Sequence, residues 1–200
     1  MINNKKYIET YLSDMKNVTR TISIDDIDRV IELLFSTWER GNQVFICGNG
    51  GSASTATHFA CDLSKTTIVE GKRRFRVHCL NDNIPLITAI INDEGFDNLF
   101  IEQLKNLFQK GDILICISVH GGVGRDKAEL WSQNLVKAMR YAKEMKGHTI
   151  GLAGFDGGVM KEIADACIVV PINSTPQVES FHLALEHLIC SCLRQKIEES

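Results

Sequence analysis

The side chains in this sequence best suited to moving protons or holding a metal ion fall in two places. His58 and Asp62 stand one helical turn apart in a segment of small residues, so they share a helix face. Near the C-terminus come Glu179, His182, Glu186 and His187. On a helix Glu179 and Glu186 nearly superpose, and His187 lies about 80° from Glu179, so both can reach one cleft while His182 points elsewhere. Imidazole and carboxylate from two helices suit zinc, or proton transfer on a carbonyl substrate. The plain alternatives are a histidine beside a capping aspartate and a helix that shows its charges to water.

The residues just before His58 carry a second kind of chemistry. The apolar run Val44-Phe45-Ile46-Cys47 breaks into Gly48-Asn49-Gly50-Gly51-Ser52, and a helical segment follows. Strand, glycine turn and helix start aim backbone N–H groups and the positive end of a helix dipole at one point, which favours a phosphate. Ser52 and Ser54 add hydroxyl donors. A Walker A loop is excluded, because no Gly-Lys-Ser/Thr follows. The relaxed dinucleotide fingerprint fits Gly48, Gly50 and Ala53, but its acidic residue should come about 20 positions on. The nearest candidate is Asp82, beyond a charged Glu70–Arg76 loop. A sugar-phosphate loop with His58 looking back into the same cleft remains the better reading, against a nicotinamide-dependent oxidoreductase.

The elements that must position these groups follow from hydrophobic periodicity. Helical spacing runs through residues 2–20 and 24–40, with Ser23 or Asp25 to cap the second helix and Gly41-Asn42 to stop it. Apolar strands are expected near 43–47, 75–80, 112–118, 148–153 and 166–170, with helices near 52–64, 97–108, 132–146, 157–164 and 176–195. The strands read as continuous apolar runs, as in Ile113-Leu114-Ile115-Cys116-Ile117, which marks a parallel sheet covered on both faces. The expectation is an α/β fold: one domain over residues 1–200, a doubly wound five-stranded parallel sheet between helices, with a helical pair at residues 1–40. Polar clusters Asn49–Ser54, Asn92–Gly95, Ser118–Gly122 and Gly154–Gly158 are then expected at strand ends, ringing one cleft. The stripe Tyr7, Ile8, Tyr11, Leu12, Met15 and Val18 on the first helix lacks an obvious partner and predicts packing on a second subunit.

Composition narrows the class further. The chain has 200 residues, 44% hydrophobic and 24% charged, with a net charge of -3. That balance gives no basic footprint for nucleic acid. No apolar run approaches the ~20 residues of a membrane span, and the start Met1-Ile2-Asn3-Asn4-Lys5-Lys6 does not read as a signal peptide. The seven cysteines are odd in number, and Cys47, Cys116 and Cys167 sit in or beside apolar strands, where they behave as small hydrophobes. A reducing cytoplasm is the expected setting.

With those residues in place, the chain resembles the phosphoheptose isomerases, proteins of the sugar isomerase (SIS) domain type. The resemblance rests on Gly48-Asn49-Gly50-Gly51-Ser52-Ala53, His58-Phe59-Ala60, Ile91-Asn92-Asp93 with Gly95-Phe96, Gly157-Gly158, and His182 with His187. It implies an aldose–ketose isomerase that interconverts sedoheptulose 7-phosphate and D-glycero-D-manno-heptose 7-phosphate through an enediol, supplying heptose for surface polysaccharide. It also implies a homotetramer with sites at subunit interfaces, and zinc. The implied metal ligands are His58, Asp62, Glu179 and His187, with Asp62 and His187 as the proton-transfer pair. The implied substrate contacts are Asn49, Gly50, Gly51, Ser52, Asn92, Asp93, Ser118, His120 and Ser132.

Three departures from the family pattern matter. Asp62 stands where the family has glutamate, and its carboxylate retreats by about 1.5 Å. Glu179 replaces a neutral glutamine, which favours a cation and repels a phosphate. The family's serine-rich phosphate loop reads Ser118-Val119-His120-Gly121, with extra residues from Gly122 to Trp131 before Ser132, the expected cap of the next helix. Arg125, Lys127 and His120 are candidates to replace the lost hydroxyls, so a related sugar phosphate is an open substrate. A non-catalytic SIS protein that binds a sugar phosphate or regulates a partner is the competing function.

Overall fold

The computed structural model describes residues 3–122 and 132–200. Helices α1 (Asn4–Thr21) and α2 (Ile24–Arg40) precede an alternating run: β1 (Gln43–Gly48), α3 (Gly51–Lys65), β2 (Arg76–Cys79), α4 (Ile84–Glu94), α5 (Leu99–Leu107), β3 (Ile113–Ser118), α6 (Gln133–Glu144), β4 (His148–Gly154), α7 (Gly158–Ile163), β5 (Ala166–Val170) and α8 (Thr175–Glu199). The expected strands all form, within a residue or two at their ends. Ser23 caps α2 by accepting from the Asp26 N–H, and Gly41 ends it in the left-handed region at φ 71.

All neighbouring strands are parallel, in the order β2-β1-β3-β4-β5. The chain moves outward from β1 to β2 and then returns to the other side of β1 with β3. Ligands of such sheets bind beyond the carboxyl ends of the two strands at this reversal. Side chains alternate across the sheet as the pleat requires. Val44, Ile46, Ile113, Ile115 and Ile117 join a core with α2, α3 and α8, while Phe45, Cys47, Leu114 and Cys116 join another with α5 and α6.

Two expectations are corrected here. Residues 84–94 fold as a helix, so Asn92–Gly95 end a helix rather than a strand. Its run of isoleucines masks the helical pattern, but Asn83 caps it by accepting from the Leu86 N–H, and Pro85 falls in the first turn, where proline is tolerated. The stripe on α1 is also only partly unpartnered. Val18 is buried and Met15 packs on the core, whereas Tyr7, Ile8 and Leu12 stay 65%, 54% and 61% exposed.

At the opposite edge from the ligand end, Asp112 ties β1 to β3. Its buried carboxylate accepts from the Gln43 N–H at 2.8 Å, the Gln43 side chain at 3.0 Å and the Gln109 N–H at 2.9 Å. Replacing it with alanine strands two backbone donors. We expect Asp112→Ala to cost about 3 kcal/mol, measured as a lower urea midpoint with unchanged far-UV dichroism.

Candidate active site

A cavity of about 140 Å³ opens beyond β1 and β3, lined by Asn49, Ser52, Ser118, Val119, His120, Gly122, Ser132 and Glu179 together with Ile117. It lies where the strand order reverses. Asn81 fixes the end of β1 by accepting from the Gly48 N–H at 3.1 Å and donating to its carbonyl at 2.9 Å. The turn that follows needs Gly50 at φ 56, and no side chain caps the start of α3. Asn49 is held by two amide bonds of 3.0 Å exchanged with buried Asn134. Ser132 sits at the cap position of α6 but makes no capping bond; its hydroxyl instead accepts from Asn49 at 3.4 Å. Ser132 is thus the N-cap residue that the sequence predicts, and its backbone carbonyl rather than its side chain bonds the first turn. Asn134 escaped sequence reasoning, although a polar pair at a helix start was its visible trace.

Helices α3 and α8 then carry the site away from this cavity side by side and in the same direction. A Cβ at Gly51 would overlap the Glu179 carboxylate, His58 meets Glu186, and Arg194 reaches the Thr66 carbonyl at 3.2 Å. Two turns below the cavity, His58, Asp62, Glu186 and His187 converge, with one ligand atom from each lying within 4.8 Å of the others. His187 Nδ1 is 2.8 Å from Asp62 Oδ2, and His58 Nε2 is 3.8 Å from Asp62 Oδ1. His58 Nδ1 is 3.5 Å from Glu186 Oε1, and the two imidazoles meet edge to face at 5.0 Å.

The structure therefore divides the four-residue metal set that the resemblance implies. His58, Asp62 and His187 meet; Glu179 does not join them. Glu179 and His187 are eight residues apart, about 12 Å along the helix, and Glu179 lines the cavity beyond β1 and β3. There it lies against the uncapped first turn of α3, where a helix dipole favours an anion. Angular superposition on a helical wheel hides this axial offset, which is why Glu179 and Glu186 look interchangeable in sequence.

Electrostatics single out Glu186. It is completely buried, and neither carboxylate oxygen has a hydrogen-bond partner among the described residues. Burial, and secondarily the nearby Asp62 charge, push its carboxyl up to about 8. An unpaired ionised carboxylate in such a place costs several kcal/mol, so a proton or a cation must offset it. The donor set of two imidazoles and two carboxylates fits a divalent transition metal. The Asp62 aspartate, though shorter than glutamate, reaches His187 without difficulty.

The other expected contacts are scattered. Asn92 and Asp93 bond to each other at the exposed end of α4, and Asp93 faces a separate groove with Glu102, Lys105 and Asn106. His120 lines the same cavity and packs on Phe155 with ring centroids 4.3 Å apart. Arg125, Lys127 and Trp131 lie outside the described residues.

The chain is similar to known proteins over most of its length. Residues 6–154 match the SIS domain family. The lincomycin biosynthesis protein LmbN of Streptomyces lincolnensis is 41% identical over 92% of this chain and 67% of its own length. A phosphoheptose isomerase of Helicobacter pylori is 38% identical over 82% of this chain and 81% of its own. The structure of a phosphoheptose isomerase from Neisseria gonorrhoeae superposes with a TM-score of 0.81, 27% identity and 96% coverage of both chains. The chain belongs to the SIS domain family, within its phosphoheptose isomerase group.

His182 illustrates how α8 is held. It is buried, with Nε2 3.2 Å from the Ala153 carbonyl at the end of β4, and burial lowers its pKa from 6.5 to about 4. The folded pKa lies below the unfolded one, so stability is full above pH 6.5 and is lost as the unfolded chain takes up a proton down to about pH 4. We expect up to about 3 kcal/mol of acid sensitivity from this group. Urea midpoints between pH 7 and pH 4.5 should fall less steeply in His182→Gln than in the wild type.

Proposed function

We propose that this protein is an aldose–ketose isomerase that interconverts sedoheptulose 7-phosphate and D-glycero-D-manno-heptose 7-phosphate, supplying heptose for surface polysaccharide. The observation that carries the reading is the joining of two chemistries along one helix. An anion cavity stands at the start of α3, and an imidazole–carboxylate cluster lies two turns along it. The seven-residue step from Gly51 to His58 spans about 10 Å, comparable with an extended seven-carbon sugar phosphate. A protein that only binds a sugar phosphate has no use for the second cluster.

In this reading Asn49, Ser52, Ser118 and Ser132 hold the phosphate through side-chain donors, helped by the backbone of Gly50 and Gly51. Asp62 accepts from Nδ1–H of His187, which fixes the tautomer and leaves Nε2 as the free acceptor. That pair removes a proton from the carbon beside the carbonyl. It returns one to the neighbouring carbon of the enediol while a hydroxyl proton shifts between the two oxygens, so nothing is gained or lost overall. His58 and Asp62 would hold a zinc ion, which when bound would polarise the substrate's oxygens while His187 Nε2 stays free for the proton. Mixed imidazole and carboxylate donors favour zinc over magnesium or calcium.

Incubation with sedoheptulose 7-phosphate, followed by NMR, tests this directly. Because the chain is similar both to phosphoheptose isomerases and to a protein named for lincomycin biosynthesis, the panel should include ketose phosphates of other lengths. Asp62→Asn should lower kcat by roughly 10²- to 10⁴-fold with a much smaller change in KM. Absence of turnover on every member by the zinc-loaded protein would exclude the isomerase.

We further infer a cytoplasmic homotetramer in which the helical pair packs on other subunits. The exposed Tyr7, Ile8 and Leu12 on α1 motivate it, since such a face is rarely left in water. No helix among the described residues is long and apolar enough to cross a membrane. Light scattering at micromolar concentration should give four times the 22.4 kDa chain mass. The triple variant Tyr7→Ser/Ile8→Ser/Leu12→Ser should shift the mass downward; a monomeric wild type would refute the assembly.

A further inference from the structure

We propose that Asn134 is the positioning residue of the cavity beyond β1 and β3: acting through Asn49, it turns the Ser132 hydroxyl into a donor for the ligand's phosphate. The inference rests on reading that cavity as the isomerase's phosphate subsite, and it concerns a residue that does not itself line it.

A backbone donor sets the direction. The Leu135 N–H donates to Asn134 Oδ1 at 2.9 Å, and a backbone N–H can only donate. The Asn134 amide is therefore oriented, with Nδ2 as its donating end. Asn134 is completely buried, so that end must find a protein acceptor. Nδ2 donates to Asn49 Oδ1 at 3.0 Å, and Asn134 Oδ1 accepts from Asn49 Nδ2 at 3.0 Å. Neither amide can flip without setting oxygen against oxygen and N–H against N–H. Asn49 then has one amide hydrogen left, and it goes to Ser132 Oγ at 3.4 Å. Both amide hydrogens of Asn49 are committed in this relay, so its donors serve the phosphate by way of Ser132, while Oδ1 keeps a second lone pair.

Ser132 receives this bond in an unusual posture. Capping serines ordinarily hold an extended backbone and turn the hydroxyl oxygen onto the first N–H groups of the helix. Ser132 instead has φ 58 and ψ 33, in the left-handed region, and its side chain makes no capping bond. That conformation is costly for a residue other than glycine, and it releases the hydroxyl from the helix. With its oxygen accepting from Asn49, the Ser132 hydroxyl turns its hydrogen away from that amide, and the cavity is the space that Ser132 lines. Ser118, in the same lining, is treated alike: its hydroxyl oxygen accepts from the Gly122 N–H at 3.2 Å. Two hydroxyls whose oxygens already accept present their hydrogens to a ligand. They suit an ionised phosphate, to which their hydrogen bonds are charge-assisted, over the neutral end of a sugar.

The experiment uses full-length protein and inorganic phosphate alone. Its dissociation constant is measured by phosphorus NMR titration for wild type, Ser132→Ala, Asn134→Ala and the double variant. Ser132→Ala should weaken phosphate roughly 10- to 100-fold, the loss of one hydrogen bond to a charged group. Asn134→Ala should weaken it to a similar extent while far-UV dichroism stays that of the wild type. The double variant should bind no worse than the weaker single one, because Asn134 acts through a hydroxyl that is already gone. A buried residue that merely held the fold together would instead add its loss to that of Ser132→Ala. If Asn134→Ala does not fold, Asn134→Ser, too short to reach Asn49, carries the same cycle. Additive losses in the cycle, wild-type affinity in a folded Asn134 variant, or no phosphate bound by the wild type would each overturn the proposal. No readout involves turnover, so a protein that gives the expected cycle but isomerises nothing would refute the isomerase alone.

Discussion

The parallel contact between α3 and α8 is the constraint on which this molecule's chemistry depends. Each helix alone offers an ordinary mixture of polar residues. Packed in one register, they set Gly51 against Glu179, His58 against Glu186 and Asp62 against His187. The register is maintained by apolar contacts on the sheet side. Ala56, Phe59 and Leu63 of α3 and Val178, Leu185, Ile189 and Leu193 of α8 are all buried in one core. A shift of α8 by one turn, about 5.4 Å, would separate every functional pair at once while preserving the hydrophobic pattern.

The same contact gives the site two ends with opposite electrostatic demands. At the upper end an uncapped helix start and a ring of hydroxyl and amide donors call for an anion. At the lower end two carboxylates converge in a buried setting and call for a cation or a proton. A phosphorylated polyhydroxy ketone carries its charge at one end and its reactive carbonyl near the other, so it matches the polarity of the cleft. Glu179 complicates the upper end. Its carboxylate occupies ground that favours an anion, so a phosphate must either displace it or bind beside it, towards Ser118 and Ser132.

Much of this was legible in sequence because the strands are buried on both faces and bounded by glycine. Gly48, Gly50 and Gly51 announced the loop before α3, and the continuous run through Ile113–Ile117 announced the central strand. The helix at Ile84–Glu94 was not legible, since its isoleucines suit a strand as readily as a helix and only Asn83 and Pro85 signal its start. The site was legible to the level of the helix face and no further. Periodicity gives the angle of a side chain around the axis but only the packing partner decides which turn counts. Asp62 and His187 come together through a contact 125 residues apart in sequence, and nothing local distinguishes Glu179 from Glu186 before α8 is docked. The role of Asn134 likewise depends on a tertiary contact with Asn49.

Asp62 is where the demands on the site compete. One of its oxygens bonds His187 at 2.8 Å, and the other faces His58 at 3.8 Å. A carboxylate used in this way orients an imidazole and is poorly placed to act as a free base. In the proposed isomerase the proton-transfer role then passes to His187, whose side chain is 50% exposed. Glu186, buried beneath the trio with neither oxygen hydrogen-bonded among the described residues, adds a further demand that only a proton or a cation at that depth can offset.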